Sequence, residues 1–207
     1  MDLRFTQDET LKFFTEGDLL ELGKATDEIR RKKFGNRTTF IIDRNINYTN
    51  ICQSQCRFCA FWRPKTHKDA YLLSDEQILS KVRETVDAGG TQVMIQGGLN
   101  PDLPLSYYEN MLRTIKKHFD ITIHSFTATE IQFFANRAGI SILDTLKRLQ
   151  NAGLDSLPGG GAEILVDEVR KKISPHKIMT DDWLNVMKLA HSIGMKSTAT
   201  MVIGFGE

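Results

Sequence analysis

From residue 8 to residue 34, Phe13, Leu20, Leu22, Ala25 and Ile29 give a polar stretch one apolar face at helical spacing, and Gly35 ends it. Thr38 to about Asn45 (TTFIIDRN) then reads as a strand. A loop follows, and the chain begins to alternate. Ser74-Asp75-Glu76-Gln77 has the form of a capping box, ahead of Ile78, Leu79, Val82 and Val86 at helical spacing and a stop at Gly89-Gly90. Thr91–Gln96 is a short apolar strand running into Gly97-Gly98. Ser106-Tyr107-Tyr108-Glu109 predicts a second capping box, opening a helix through Met111, Leu112 and Ile115. Ile121–Phe126 is the next strand, and a helical stretch from about Thr129 to Ala152 breaks at Gly139, with Ser141 as a fresh cap. Leu154–Leu157 is a strand leading into Pro158-Gly159-Gly160-Gly161. Two helical pieces divided by Ser174-Pro175 come next, the second capped by Thr180 and carrying Trp183, Val186, Met187 and Ala190; Thr198–Ile203 is a fifth strand.

Strands that alternate with helices form right-handed βαβ units and a parallel sheet. Five of them predict an α/β fold, either a doubly wound sheet or part of a (β/α) barrel. Both architectures place ligands at the C-terminal ends of the strands. The loop after the first strand, Gly97-Gly98, His124 to Glu130, the Gly159 run and Gly204 to Glu207 all stand at such ends. The expected division is an N-terminal helical segment, 1–37, and an α/β core, 38–207. The sequence stops at MVIGFGE, just past the fifth strand, where a parallel sheet is still missing its covering helix. A barrel truncated after strand 5 is therefore expected.

Composition changes this picture little. The chain has 207 residues, 41% hydrophobic and 26% charged, enough for one sizeable core. The 27 basic and 26 acidic residues nearly cancel, which leaves no electrostatic footprint for nucleic acid. No apolar run approaches the roughly 20 residues of a membrane span. MDLRFTQDETLKFF lacks the apolar centre of a signal peptide, so a cytoplasmic protein with no membrane partner is expected.

The cysteines change it a great deal. There are three, Cys52, Cys56 and Cys59, all within NICQSQCRFCAFWR. A structural zinc site closes with four ligands, and His67 is the only histidine nearby, so a non-enzymatic zinc-binding module on the three cysteines and His67 is the alternative reading. Cys56-Arg57-Phe58-Cys59 alone has redox-dithiol spacing, but that leaves Cys52 unexplained. Three unremarkable thiols would not cluster. A four-iron cluster is normally held by four thiolates. Held by three, it keeps one iron open for a ligand, as an enzyme that delivers an electron into a bound molecule requires. Phe58, Phe61 and Trp62 would shield such a cluster.

Cys52-x3-Cys56-x-Phe58-Cys59 resembles the signature of the radical S-adenosylmethionine (SAM) superfamily. The resemblance implies a [4Fe–4S] cluster on Cys52, Cys56 and Cys59, and SAM on its open iron. It implies a 5′-deoxyadenosyl radical that takes hydrogen from substrate, an electron donor of flavodoxin or ferredoxin type, and a full or partial barrel with the cluster loop after strand 1. Gln96-Gly97-Gly98 resembles the family's Gly-Gly-Glu segment, which meets the methionine amino group, with Leu99 in place of Glu. Thr200 to Glu207 resembles its Gly-x-Ile-x-Gly-x-x-Glu segment beside adenine, with Thr200 in place of the first Gly. Candidate cofactor contacts are thus Gln96, Gly97, Gly98, Phe58, Glu130 and Val202.

Longer stretches resemble the branch acting on futalosine-type and deazaflavin precursors: NINYTNIC, GGTQVMIQGGLNPDLPLSYYE, LDSLPGGGAEIL and TATMVIG. Ser174-Pro175-His176-Lys177 stands where the aminofutalosine-forming sister group has Cys-Pro. This favours the menaquinone-pathway cyclisation of dehypoxanthine futalosine over aminofutalosine or deazaflavin-cofactor synthesis. The implied reaction takes the ribose C4′ hydrogen of a nucleoside-derived substrate, adds the carbon radical to the substrate's own benzoate ring, and ends with loss of an electron and a proton. It needs a fixed pose, a dry pocket and a base. By position, Glu163 and His124 are the candidate catalytic residues, set against plain structural roles as a helix N-terminal acid and a satisfied strand-end histidine. Arg170, Lys171 and Lys172 read as a solvated helix face, Trp183 as core, and Tyr48 and Trp62 as walls of the cluster pocket.

Overall fold

The computed structural model describes residues 5–205. It separates into two compact units, the second beginning at Ile41. In the first, the single helix expected over 8–34 is two: α1 (Gln7–Glu16) and α2 (Leu19–Phe34). Gly17 is extended, and the Asp18 carboxylate accepts hydrogen bonds from the Leu20 and Glu21 amides, so α2 starts afresh from its own cap. Neither helix buries a residue.

The second unit runs β1 (Asp43–Asn47), α3 (Asp75–Asp87), β2 (Gln92–Gln96), α4 (Leu105–His118), β3 (Thr122–Ser125), α5 (Ala128–Ala138), α6 (Ile142–Ala152), β4 (Ser156–Leu157), α7 (Asp167–Ile173), α8 (Thr180–Ser192) and β5 (Lys196–Ser197). All neighbouring strands pair in parallel, in the order β1-β2-β3-β4-β5. A doubly wound sheet reverses its order at a switch point. This one never reverses, so it is the arc of a barrel and the doubly wound alternative is ruled out.

Register divides the sheet into two faces. Ile46, Ile95 and Ser125 align across the first three strands, and Val93 aligns with Ile123. Ile46, Val93, Ile95, Ile123 and Leu157 are buried in one apolar core with Val82, Leu112, Ile131, Leu146, Leu149 and Val186 from the helices. The opposite face, inside the arc, carries Asn45, Asn47, Met94, Gln96, His124 and Ser156 and is mostly polar. Helices therefore cover one side of the sheet, and the other faces the barrel interior.

Several boundaries differ from the sequence reading. β1 begins at Asp43, not Thr38, because its partner β2 begins at Gln92, directly after the Gly89-Gly90 turn. Residues before Asp43 have no strand to pair with, and Phe40, Ile41 and Ile42 are exposed despite their β propensity. β5 is Lys196–Ser197 and the expected Thr198–Ile203 lies outside it, because β4 ends at Leu157 and runs into Pro158 and the glycines. Single backbone bonds from the Thr198 amide to Leu157 O and from the Val202 amide to Glu163 O hold that segment instead.

Capping also went two ways. The Ser74/Gln77 box forms as expected, and so does the Gly139 stop with Ser141 as the next cap. Ser106 caps nothing: the helix starts at Leu105 after Pro104, and Glu109 reaches Arg148 on α6 in a two-pronged pair of 2.8 and 3.0 Å. Thr180 is the first residue of α8 and not its cap, and its amide and hydroxyl both donate to the Asp167 carboxylate on α7. Among the described residues no helix is long and apolar enough to cross a membrane.

Candidate cofactor and substrate site

β1 runs into a loop over 48–73 that folds back on the end of β2. The Tyr48 amide donates to Gln96 O, the Gly98 amide to Thr49 O and the Gln53 amide to Leu99 O. Within the loop the Cys52 amide donates to Arg63 O, the Arg63 amide to Asn50 O, and the Cys59 amide to Cys56 O. Gln55 takes φ 49°, a left-handed conformation rarely adopted away from glycine, between Cys52 and Cys56. The three thiols are free and line one cavity of about 350 Å³. Cys56 is the buried one, and burial pushes its thiol up to about 11, with the Lys177 ammonium pulling it back.

Gly97 and Gly98 form the adjacent wall. A Cβ on Gly97 would stand 2.4 Å from the Tyr48 ring, and one on Gly98 would stand 2.2 Å from Ile51 O and 2.8 Å from the Cys52 Cβ. These glycines let the turn after β2 pack directly against the cysteine loop. Behind them Glu130 is fully buried. Its Oε1 accepts from the Tyr48 hydroxyl at 3.1 Å and the Gly97 amide at 3.0 Å. Its Oε2 accepts from the Thr127 amide and hydroxyl at 2.8 and 3.0 Å, which completes a capping box for α5. Burial raises this carboxyl to about 7, against those four donors. Glu130 ties the ends of β1 and β2 to the start of α5.

Across the cavity stands Glu163, at φ 42°. Its Oε1 accepts from the Lys177 ammonium at 2.9 Å, and its buried Oε2 has no hydrogen-bond partner among the described residues. Lys177 also sits 5.3 Å from the Phe58 ring centre, a cation–π contact. Arg170 is fully buried and not on a solvated face. Its guanidinium donates to the carbonyls of Gly161, Ala162, Ile164 and Ile178, which locks the Gly160–Glu163 turn, and stands 3.9 Å from Glu163 Oε2. Trp183 is core, as expected, with its indole donating to Gly160 O at 3.3 Å.

Of the candidate residues, the cavity gathers Cys52, Cys56, Cys59, Phe58, Gln96, Gly97, Gly98, Glu130 and Glu163, with Phe61 and Trp62. It does not gather His124 or Val202. His124 bonds Ser156 Oγ through Nδ1 at 2.6 Å, and burial lowers its pKa. The Val202 side chain is half exposed. Tyr48 lies behind Gly97, outside the lining. His67 faces a separate shallow hollow with Cys59, away from Cys52 and Cys56. Among the cavity-wall residues that the sequence reading does not single out are Asn45, Asn47, Asn50 and Ser54. Asn45 and Asn47 alternate at period two, a signal hidden once β1 was placed too early.

The residues fit the implied groups. Among the described residues Ser54 Oγ, Thr129 Oγ1 and Glu163 Oε2 are buried without partners, and all three belong to the cavity, as expected of a site shaped around a polar ligand. Among the described residues no three His, Cys, Asp or Glu side chains converge closely enough for one metal ion.

The structure is an open parallel arc of a barrel, with a three-thiol loop at the C-terminal end of its first strand and a cavity lined by that loop. The chain belongs to the radical SAM superfamily, whose sequence profile matches residues 46–207. It is similar to the cyclic dehypoxanthine futalosine synthase of Halalkalibacterium halodurans, 47% identical over 99% of this chain and 56% of that protein. It is also similar to the 5-amino-6-(D-ribitylamino)uracil–L-tyrosine 4-hydroxyphenyl transferase of Thermosynechococcus vestitus, 46% identical over 91% of this chain and 50% of that protein. The chain thus spans about half the length of these curated relatives. The crystal structure of methylornithine synthase shares the fold, with a TM-score of 0.73 at 18% identity over 99% of this chain and 58% of that one.

Proposed function

We propose that this chain carries the cluster- and SAM-binding half of a radical SAM enzyme that cyclises dehypoxanthine futalosine in menaquinone biosynthesis. The observation that carries the reading is the single cavity wall on which Cys52, Cys56 and Cys59 meet the Gly97-Gly98 turn. Identity of 47% to a protein named for that reaction supports the choice of substrate.

When bound, the cluster and SAM supply a 5′-deoxyadenosyl radical that removes a hydrogen atom from substrate. The chain's residues divide the remaining work. Cys52, Cys56 and Cys59 hold the cluster as thiolates, and Lys177 eases the ionisation of Cys56. Gly97 and Gly98 present backbone to the methionine end of SAM, while Glu130 braces that turn and keeps no oxygen free. Phe58, Phe61 and Trp62 border the cluster side of the cavity, but Phe58 and Phe61 are exposed and do not seal it from water as the sequence suggests. Glu163 Oε2, buried and unpartnered, is the atom placed to accept a hydrogen bond or a proton from a bound ligand. Val202 keeps the segment after β5 beside Glu163 through its amide. His124, bonded to Ser156, is a positioning residue of the barrel floor.

The test is anaerobic loading of the full protein with iron and sulfide, then reduction and incubation with SAM and dehypoxanthine futalosine. 5′-Deoxyadenosine and cyclised product, both lost in C56A, are the expected result. Deoxyadenosine without cyclised product would overturn the choice of substrate. The transferase relative, at 46% identity, favours a second reading, tested by supplying 5-amino-6-(D-ribitylamino)uracil and tyrosine instead. Aminofutalosine synthesis is the third candidate activity of the same site.

A further inference from the structure

Inside the barrel arc, the polar side chains fall into two sets. One set is satisfied: Gln92 donates to the Asp43 carboxylate at 3.2 Å, and His124, level with Met94 and Asn45 across the strands, bonds Ser156 Oγ at 2.6 Å. The other, on β1 and at the end of β2, is not. Asn47 and Gln96 are register partners on β1 and β2, with side chains on one face, and Asn45 lies two residues below Asn47 on the same face. All three line the cavity. Among the described residues none of the three carboxamides has a hydrogen-bond partner.

A neighbour in the same wall gives the contrast. The Asn50 amide is fully engaged: its Nδ2 donates to Asp69 O at 2.8 Å, and its Oδ1 accepts from the Tyr71 amide at 2.8 Å. Asn50 holds the cysteine loop closed. Asn45, Asn47 and Gln96 hold nothing, although Gln96 stands directly across from Asn47. Side-chain amides each offer two donors and an acceptor with two lone pairs. Three of them in a row, neutral and unpaired, present alternating donors and acceptors without net charge.

That surface suits a ligand segment dense in groups that both donate and accept. Vicinal hydroxyls do so, whereas a carboxylate only accepts and an ammonium only donates. We propose that Asn45, Asn47 and Gln96 form a carboxamide shelf that binds the pentose-derived polyol of the substrate. This rests on the radical SAM reading of the cavity, but not on the choice between the two relatives' reactions. The futalosine-type substrate carries a ribose, and the transferase relative is named for a ribitylamino compound. The shelf moves Gln96 from the cofactor, where its place beside Gly97-Gly98 first put it, to the substrate. Hydroxyls held on β1 and β2 would seat the pentose in the same cavity that the cysteine loop lines.

Binding is measured calorimetrically on the full, cluster-loaded protein, kept oxidised so that nothing turns over. Dehypoxanthine futalosine, 5-amino-6-(D-ribitylamino)uracil and SAM are the probes, each titrated separately. The variants are N45L, N47L and Q96M, near-isosteres that remove the amide and no internal bond, and their melting curves should match the parent protein. The expected result is a dissociation constant for the bound polyol compound at least tenfold weaker in N47L and Q96M, with SAM affinity within about twofold of the parent. Unchanged polyol affinity in all three variants overturns the shelf, as does a loss of SAM affinity equal to the loss for the polyol. Binding of the ribityl compound alone, weakened by the variants, sinks the cyclase reading and leaves the shelf standing. Binding of neither compound by the parent protein sinks both.

Discussion

Burial and hydrogen bonding pull Glu130 in opposite directions. Removal from water raises its carboxyl to about 7, while the Thr127, Gly97 and Tyr48 donors oppose the rise. Between the ordinary value of 4.5 and about 7, the folded protein holds a proton here that the unfolded chain has released. Stability from this group is therefore complete below about 4.5 and is lost as pH rises through about 7. In E130Q that slope should vanish, because the amide does not titrate. The substitution also carries a cost. Tyr48 and Thr127 hydroxyls can turn to accept from a glutamine amide, but the Gly97 and Thr127 amides lie on opposite oxygens and cannot, so one is stranded. The expected loss is about 1–3 kcal/mol of unfolding free energy. Denaturant midpoints across the window check both effects, and an unchanged slope in E130Q would place the titration on another group. The sequence marks Glu130 as a site residue by its position after the third strand. It hides the bonds to Tyr48 and Gly97, which lie 82 and 33 residues away. Thr127 three residues before Glu130 is a readable capping pattern, the same form that misled at Ser106. What separates the two is Pro104, which starts its helix early, and Arg148, which takes up Glu109.

At the scale of elements, the site is a junction where the cysteine loop and the β2 turn share a backbone interface. The Gly98 amide bonds Thr49 O on one side, and Leu99 O accepts from the Gln53 amide on the other. Between these bonds there is no room for a methyl group, since Gly98 would press it to 2.2 Å from Ile51 O. That neighbour is backbone, so G98A must push the loop and the turn apart. It should cost roughly 1–3 kcal/mol, in the range of core overpacking, and reduce the iron held per chain after reconstitution. G23A, in a helix with open space at the Cβ, is the control and should not lose stability. Full iron content in G98A would show that the loop does not depend on this contact for its shape. Helices were more legible than strands in this chain. Their caps and apolar spacing are local, and most were read within a few residues. The limits of β1 and β5 are set by where β2 begins and β4 ends, so neither can be read from its own residues.

Across the whole molecule, the sequence shows five strands and the loops that follow them, but not their spatial order. That order distinguishes an arc from a doubly wound sheet, and it depends on pairings such as Asp43 with Gln92 that no local pattern encodes. The arc brings the segment between α7 and α8 back over the cysteine loop, and so places Lys177 above Phe58 and beside Glu163. The arrangement controls how readily Cys56 ionises. Burial is the main reason that its thiol stands near 11, Lys177 is the leading influence downward, and Glu163 adds a smaller one upward. Iron binds the thiolate, so cluster assembly is coupled to loss of that proton. K177M should therefore move the loading curve, iron per chain against pH, toward higher pH. E163Q should move it the other way, since it removes the opposing charge and keeps the side chain's shape. A change of structure alone would reduce loading in both variants at every pH. Opposite displacements of the curve identify the charge pair as the cause, and displacement of both in one direction would refute it.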